Sequence, residues 1–365
     1  MRAAVLEASG KPITIVDDVD IDEPEAGEVL IAVHYCGLCH SDVSQADGTF
    51  DPPVPVILGH EAAGVVEAIG PGVTRLAPRD RVVLTPCPPC GHCYWCLRGE
   101  QSICVNASAI STSTFPDGRT RLSRRGQVIY RGVGLGAFGR YVLVQEAGAI
   151  PVPPGTPLEL ACIIGCAVQT GVGAVLNCAK VEEGATVLVM GLGGIGMAIV
   201  QGARLAGASR IIVSDPVSER RDMAAGFGAT DAIDPMASDV QAETMRLTGV
   251  GADYAFDAVG RPALIETGLW ATRNGGTTVL VGAAPADATV TFPPVLMMLA
   301  EKKIKGTLLG TSNAPFDIPR LLALAAAGRL DLEGMVTASR PLIEINEAVA
   351  DMHAGRGIRT VLTIA

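Results

Sequence analysis

A chain of 365 residues is long for one domain and suits two, and 48% hydrophobic residues provide for large cores. Twenty-eight basic residues against 38 acidic ones give a formal charge of −10. That balance excludes a phosphate-backbone binder, which needs a basic stripe, and gives no attraction to an anionic membrane, so neither is expected as a partner.

The opening MRAAVLEASGKP carries Glu7 and no apolar run, so no secretory signal is expected. Ten cysteines in such a chain favour metal ligands and free thiols over disulfides, and a cytoplasmic location. EVLIAVHYCG, AGVVEAIG and RVVLTP are short β-branched runs broken by Gly, Pro and Asp, the pattern of a folded-over β domain. The long apolar stretch ELACIIGCAVQTGVGAVLNCA (159–179) is interrupted by Gln169, Asn177 and glycines, which predicts a buried segment and not a membrane span.

Beyond residue 168 the character changes. ATVLVMG (185–191) is apolar without alternation, as in a strand buried on both faces. GMAIVQGARLAGA reads as a helix, RIIVSD (210–215) as a second buried strand, and YAFDAVG (254–260) and TTVLVGA (277–283) continue the series. Strands alternating with helices predict an α/β fold with a doubly wound parallel sheet. The expected division is a β-rich catalytic domain over 1–167, a Rossmann nucleotide-binding domain over 168–308, and a return to the first domain over 309–365. There is no internal repeat and no low-complexity tract.

The loop Gly191, Leu192, Gly193, Gly194, Ile195, Gly196 fits G-x-G-x-x-G, and Asp215 closes the next strand 19 residues past Gly196. Strand, glycine turn, helix, strand and acid together are the context that the motif requires. Gly191 serves the tight turn, Gly193 the approach of a pyrophosphate and Gly196 close packing of helix on strand, while the helix N-terminus offers N–H donors. An Asp215 carboxylate accepts from ribose hydroxyls and repels a 2′-phosphate, which favours NAD; Arg220 and Arg221 nearby temper that preference.

Five cysteines crowd residues 85–104, TPCPPCGHCYWCLRGEQSIC. C-x2-C-x2-C-x7-C selects Cys90, Cys93, Cys96 and Cys104 as a closed tetrahedral zinc site in a lobe of about residues 87–104. A site with four thiolates has no open position and is structural. The register Cys87, Cys90, Cys93, Cys96 is an alternative that strands Cys104. A second, dispersed group comprises Cys39 in GLCHSD, His60 and Glu61 in GHE, and Cys166 in GC. Two thiolates and a histidine form an attested catalytic zinc set with a fourth position for water or substrate, although each ligand taken singly is a weak signal.

Taken in order, GLCHSD, GHEAAGVVEAIGPGV, CGHCYWC with Cys104, GCAVQTGVGAV and VMGLGGIGM resemble the zinc-containing medium-chain alcohol dehydrogenases over essentially the whole chain. VNASAISTSTFPDGRTRLSRRGQVIYRG (105–132) resembles the insertion of the longer-loop branch, which holds the liver-type and glutathione-dependent formaldehyde enzymes. The resemblance implies a GroES-like catalytic domain and two zinc ions per chain, one catalytic on Cys39, His60 and Cys166 and one structural on the four lobe cysteines. It implies reversible NAD-linked oxidation of an alcohol to an aldehyde, and a homodimer, or a tetramer, paired through the nucleotide domain.

The same resemblance assigns Ser41 to the start of a proton relay and Asp42 and Glu61 to carboxylates that orient the ligand imidazole. It places Thr170 and Ile195 along the nicotinamide, and His40 and Arg359 at the pyrophosphate. Phe50, Pro86, Cys87, Gly132 and Val133 fall near substrate-channel positions. Gly132 stands where some relatives have an aromatic ring, which points to medium, bulky or aromatic primary alcohols. Two departures stand out. Ser44 occupies the place of the outer histidine base of some relatives, and VNASAIST after Cys104 lacks the arginine that glutathione-dependent members use. Competing readings are a zinc-free reductase, which would lack Cys39 and Cys166, a dismutase-like relative with tightly bound NAD(H), and a non-enzymatic zinc and nucleotide scaffold.

Overall fold

In the computed structural model, which describes residues 1–364, the chain forms two units. One comprises residues 1–167 with the segment from Asn313 onward, and the other Val168–Ser312.

The first unit is built on the strand Glu28–Leu38, which pairs antiparallel with Glu61–Ile69, Tyr141–Gln145 and Arg359–Thr363. Arg81–Leu84 and Ala149–Pro151 extend this seven-stranded sheet on one side and Val336–Pro341 on the other. Alternating apolar residues on Glu28–Leu38 bury Val29, Ile31 and Val33 in one core with Leu6, Leu58, Leu84, Ile129 and Phe138. The register matters for the site. Gly37 faces Glu61 and Leu38 faces Thr360, so the end of the first strand and the beginnings of the other two meet at one corner of the sheet. Cys39 follows the first strand as the N-cap of helix His40–Ala46, while His60 and Arg359 stand at the starts of the others.

The second unit is a six-stranded sheet whose neighbouring strands are all parallel, in the order Asp231–Ile233, Arg210–Ser214, Thr186–Met190, Ala252–Asp257, Thr272–Leu280, Lys303–Gly306. The first strand of this unit, Thr186–Met190, lies inside the sheet and the order reverses beside it, the doubly wound arrangement that places nucleotides at the strand C-termini. Among the described residues no single helix is long and apolar enough to cross a membrane.

Candidate active site and metal centres

At the sheet corner, donor atoms of Cys39, His60, Glu61 and Cys166 all lie within 4.8 Å of one another, and all four residues are buried. Cys166 reaches this corner after the turn Cys162–Gly165, which packs on the sheet so closely that a Cβ on Gly165 would stand 2.0 Å from the Leu84 carbonyl.

Asp42 organises the corner. Its Oδ2 accepts from the Cys39 N–H (3.0 Å), and its Oδ1 accepts from the Gly59 N–H (2.9 Å) and from His60 Nδ1 (3.0 Å). With Nδ1–H donated to a carboxylate, the Nε2 lone pair of His60 is left for the cluster. Ser41 Oγ lies 3.3 Å from both Cys39 Sγ and His60 Nε2. Glu61 makes no contact with the imidazole that would orient it; that task falls to Asp42 alone. Instead Glu61 Oε1 accepts from the Ala167 N–H (3.1 Å), and Oε2 is buried without a hydrogen-bond partner, 3.4 Å from Arg359 Nε. Room for it comes from Gly37, where a Cβ would lie 2.4 Å from Oε2.

Hydrogen bonding from the Cys166 thiol draws the Cys39 thiol well below its ordinary pKa against the effect of burial, while Cys166, the donor, is pushed up. Burial raises Glu61 to about 7 despite the Arg359 guanidinium. Two thiols, an imidazole and an adjacent unpartnered carboxylate oxygen fit zinc, whose charge would hold both thiols deprotonated.

The second cluster is Cys90, Cys93, Cys96 and Cys104, again with all donor atoms within 4.8 Å. Backbone N–H groups of Cys93, Cys90 and Asn106 point at the sulfurs of Cys90, Cys104 and Cys104, at 3.3 to 3.4 Å. Such N–H···S contacts stabilise thiolates, and four sulfurs with no further position suit a structural ion. Cys87 stands outside this set. It was expected on the substrate channel, but its thiol donates to the Ser102 carbonyl (3.5 Å) inside the lobe, and burial pushes it up to about 12.

In the nucleotide unit, Gly191 has φ +89° between the strand Thr186–Met190 and the helix Gly194–Leu205. A Cβ on Gly196 would lie 1.8 Å from the Gly191 carbonyl, whereas one on Gly193, the helix N-cap, would meet nothing within 4 Å. The backbone therefore leaves free space at the helix N-terminus, as a bound pyrophosphate requires. Asp215 Oδ2 accepts from the Leu192 N–H (2.7 Å) and Oδ1 from the Val217 N–H (2.8 Å), which ties both loops at the strand ends. Arg220 Nη1 lies 4.0 Å from Asp215, and Arg221 is engaged by Asp234 at 2.9 Å.

Residues 25–154 match the alcohol dehydrogenase GroES-like domain family, and residues 194–327 the zinc-binding dehydrogenase family. S-(hydroxymethyl)glutathione dehydrogenase of Escherichia coli is 39% identical over 367 residues, covering 99% of each chain. The chain belongs to the zinc-containing alcohol dehydrogenase family. Among solved structures, benzyl alcohol dehydrogenase of Acinetobacter calcoaceticus superposes with a TM-score of 0.94 at 30% identity, covering 100% of this chain and 99% of that one. A zinc-binding dehydrogenase of Sinorhizobium meliloti bound to NADP does so with 0.81 at 27% identity, over 99% and 98%.

The protein is thus a zinc-dependent, nicotinamide-linked oxidoreductase. Its remaining expected site residues are distributed as follows. His40 is exposed at the start of its helix, Phe50 is half-buried, and Pro86, Gly132 and Val133 are buried. Thr170 is buried and Ile195 half-buried in the nucleotide unit. The space left by the missing ring at Gly132 is taken up in part, since a Cβ there would stand 2.6 Å from Leu58 Cδ2. Val133 adopts φ 52°, ψ 31°, a left-handed conformation rare for a β-branched residue. Arg359, expected at the pyrophosphate, is 4% exposed; its Nη1 donates to the Leu38 carbonyl (2.7 Å) and its Nε faces Glu61. Glu61, grouped with the other donors from sequence, fits beside them because Gly37, two residues before Cys39, leaves room for its carboxylate.

Proposed function

We propose that this dehydrogenase catalyses the reversible, NAD-linked oxidation of medium-sized or bulky primary alcohols, aromatic ones included, to aldehydes. The observation that carries the reading is the corner at which Cys39, His60 and Cys166 converge with Ser41 3.3 Å from two of them. Zinc held by those three side chains would acidify an alcohol hydroxyl and polarise an aldehyde carbonyl, and the nicotinamide would take up the hydride.

The chain's own residues do the rest. Asp42 keeps the His60 tautomer, and Ser41 stands where a hydroxyl bound at the open position would hand over its proton. Ser44, 7% exposed, follows where some relatives carry histidine, so the outward transfer runs through hydroxyls and water. NAD is favoured over NADP by Asp215, whose carboxylate would repel a 2′-phosphate. The substrate class leans on the benzyl alcohol dehydrogenase likeness, since Leu58 reduces what Gly132 could add.

The E. coli relative's name raises a glutathione adduct as the second reading; against it, VNASAIST carries no arginine. A steady-state panel of aliphatic, allylic and benzylic alcohols and S-(hydroxymethyl)glutathione, each with NAD and NADP, separates these. Benzylic alcohols with NAD should give the highest kcat/KM; turnover confined to the glutathione adduct or to NADP would refute the reading.

Self-association through the nucleotide unit is supported by helix Pro294–Leu299, which has no buried residue and exposes Val295, Met298 and Leu299 beside the sheet-edge strand Lys303–Gly306. A homodimer in sedimentation equilibrium is the expected outcome, and a monomer at micromolar concentration would exclude it. Ten free cysteines suit a reducing cytoplasm.

A further inference from the structure

Behind the lobe, the first unit contains a small cavity of about 20 Å³ bordered by Asn106, Thr114, Phe115, Arg131 and Gln145. Arg131 is 4% exposed. Of its five N–H groups, Nε donates to the Leu135 carbonyl (3.4 Å) and Nη2 to the Leu143 carbonyl (2.8 Å). Among the described residues it forms no ion pair, and Nη1 has no protein acceptor.

The nearest acids are committed elsewhere. Glu28 and Asp117 contact Arg121 Nη2 at 2.9 and 2.7 Å. Both guanidinium groups lie over the Phe115 ring, Arg131 at 3.5 Å from its centroid and Arg121 at 4.8 Å, so the ring's negative face is shared between two cations. Burial brings Arg131 down to about 9; the attraction of Glu28 opposes this, the like charge of Arg121 adds to it, and Asp117 opposes it more weakly. A buried charge is ordinarily paired; this one has two carbonyls and a shared ring in direct contact, and feels Glu28 and Asp117 only from a distance.

The groups around it are donors as well. Gln145 Oε1 is taken by Asn106 Nδ2 (2.8 Å), which leaves its Nε2 to donate. The Ser113 hydroxyl, fully buried and without a partner, belongs to the residue whose carbonyl accepts from the Arg131 N–H. A void of this size exceeds the roughly 10–15 Å³ needed for one water-sized particle, and is too small for a carboxylate-bearing metabolite. Water could accept from Nη1 but would bring no negative charge into contact with the guanidinium.

We propose that this cavity is a binding site for a small monovalent anion of halide size, held by Arg131 Nη1 and Gln145 Nε2 as the missing counter-ion of Arg131. The site is distinct from both zinc clusters and from the nucleotide loop, and it pins the insertion segment 105–132 to the strand Tyr141–Gln145.

Two measurements on the full-length holoenzyme test this. Crystals soaked in sodium bromide should show an anomalous peak beside Arg131 Nη1. In solution, chloride or bromide should raise Tm saturably, on the order of 2–4 °C at ten times Kd, relative to sodium gluconate at equal ionic strength, whose anion is too large for the void. Gln145→Glu keeps the acceptor for Asn106 and places a carboxylate in the cavity, so it should raise Tm without halide and abolish the halide response. A water with no anomalous signal, a bromide peak without any effect on Tm, or an unchanged halide response in Gln145→Glu would overturn the proposal. The wild-type soak decides it even if the variant misfolds.

Discussion

Replacing Asp42 by Asn exchanges one acceptor oxygen for a donor of the same shape, at a position only 1% exposed. The carboxylate accepts three bonds: from Cys39 N, Gly59 N and His60 Nδ1. If the amide nitrogen takes the Oδ2 position it meets the Cys39 N–H; if it takes Oδ1 it meets two donors. The first orientation is therefore favoured, and it strands one buried N–H at about 1–3 kcal/mol. The other two bonds lose their charge assistance, about 0.5–2 kcal/mol each, for a total of about 2–7 kcal/mol of metal-free stability.

His60 also loses the partner that fixes its tautomer, which should weaken zinc at this corner about 10–100-fold, or about 1.4–2.8 kcal/mol. The lobe cluster shares no residue with Asp42 and serves as an internal reference. Stepwise removal of zinc by a chelator, with metal counted per chain, should show one ion lost far earlier than in wild type and the other unchanged. Urea unfolding of the metal-free forms measures the stability change. Equal loss of both ions, or a catalytic-site affinity indistinguishable from wild type, would refute the role given to Asp42.

Cys39→Ala should lower the zinc content from about two ions per chain to about one and abolish turnover, whereas Cys87→Ser should leave the count intact; loss of an ion in the latter would mean that Cys87 is a ligand. His40→Arg should slow NADH dissociation in stopped flow, because a guanidinium binds phosphate more tightly than a neutral imidazole; an unchanged off-rate would remove His40 from the cofactor site. In the nucleotide unit, the Thr186 N–H at 2.8 Å and then Arg273 at 2.6 Å outweigh burial and hold Asp253 below its ordinary 3.8. A depressed carboxylate stabilises the fold above its unfolded pKa and ceases to do so as pH falls through the folded one. Asp253→Asn should therefore cost stability at neutral pH and flatten the loss below about pH 4 in urea titrations; parallel pH profiles would contradict this.

The nucleotide loop was readable from local pattern because its parts are consecutive: a non-alternating strand, a glycine turn and a helix within 20 residues (186–205). The lobe was readable for the same reason, with four cysteines inside 15 positions (90–104). The catalytic donors were not readable from spacing, since Cys39, His60 and Cys166 sit on separate elements that only the pairing of Gly37 with Glu61 and of Leu38 with Thr360 brings to one corner; resemblance to a family was needed to join them. What stayed hidden was side-chain direction. Cys87 turned into the lobe, Arg359 turned onto Glu61, and Leu58 filling the space at Gly132 all depend on tertiary packing that no window of sequence encodes.

The place of Arg359–Thr363 in the sheet has a consequence for biosynthesis. This strand is inserted between Glu28–Leu38 and Val336–Pro341, so it is an interior strand that is translated only after the whole nucleotide unit. Until it arrives, Glu28–Leu38 presents an open edge and the Leu38 carbonyl lacks the Arg359 guanidinium that caps it. The nucleotide unit, contiguous in sequence, can fold on the nascent chain, while the catalytic unit waits through the synthesis of all 145 residues of Val168–Ser312 (312 − 167). Deleting Arg359–Thr363 should thus be as damaging as truncation far upstream, and the half-made catalytic sheet is the species on which chaperones would act.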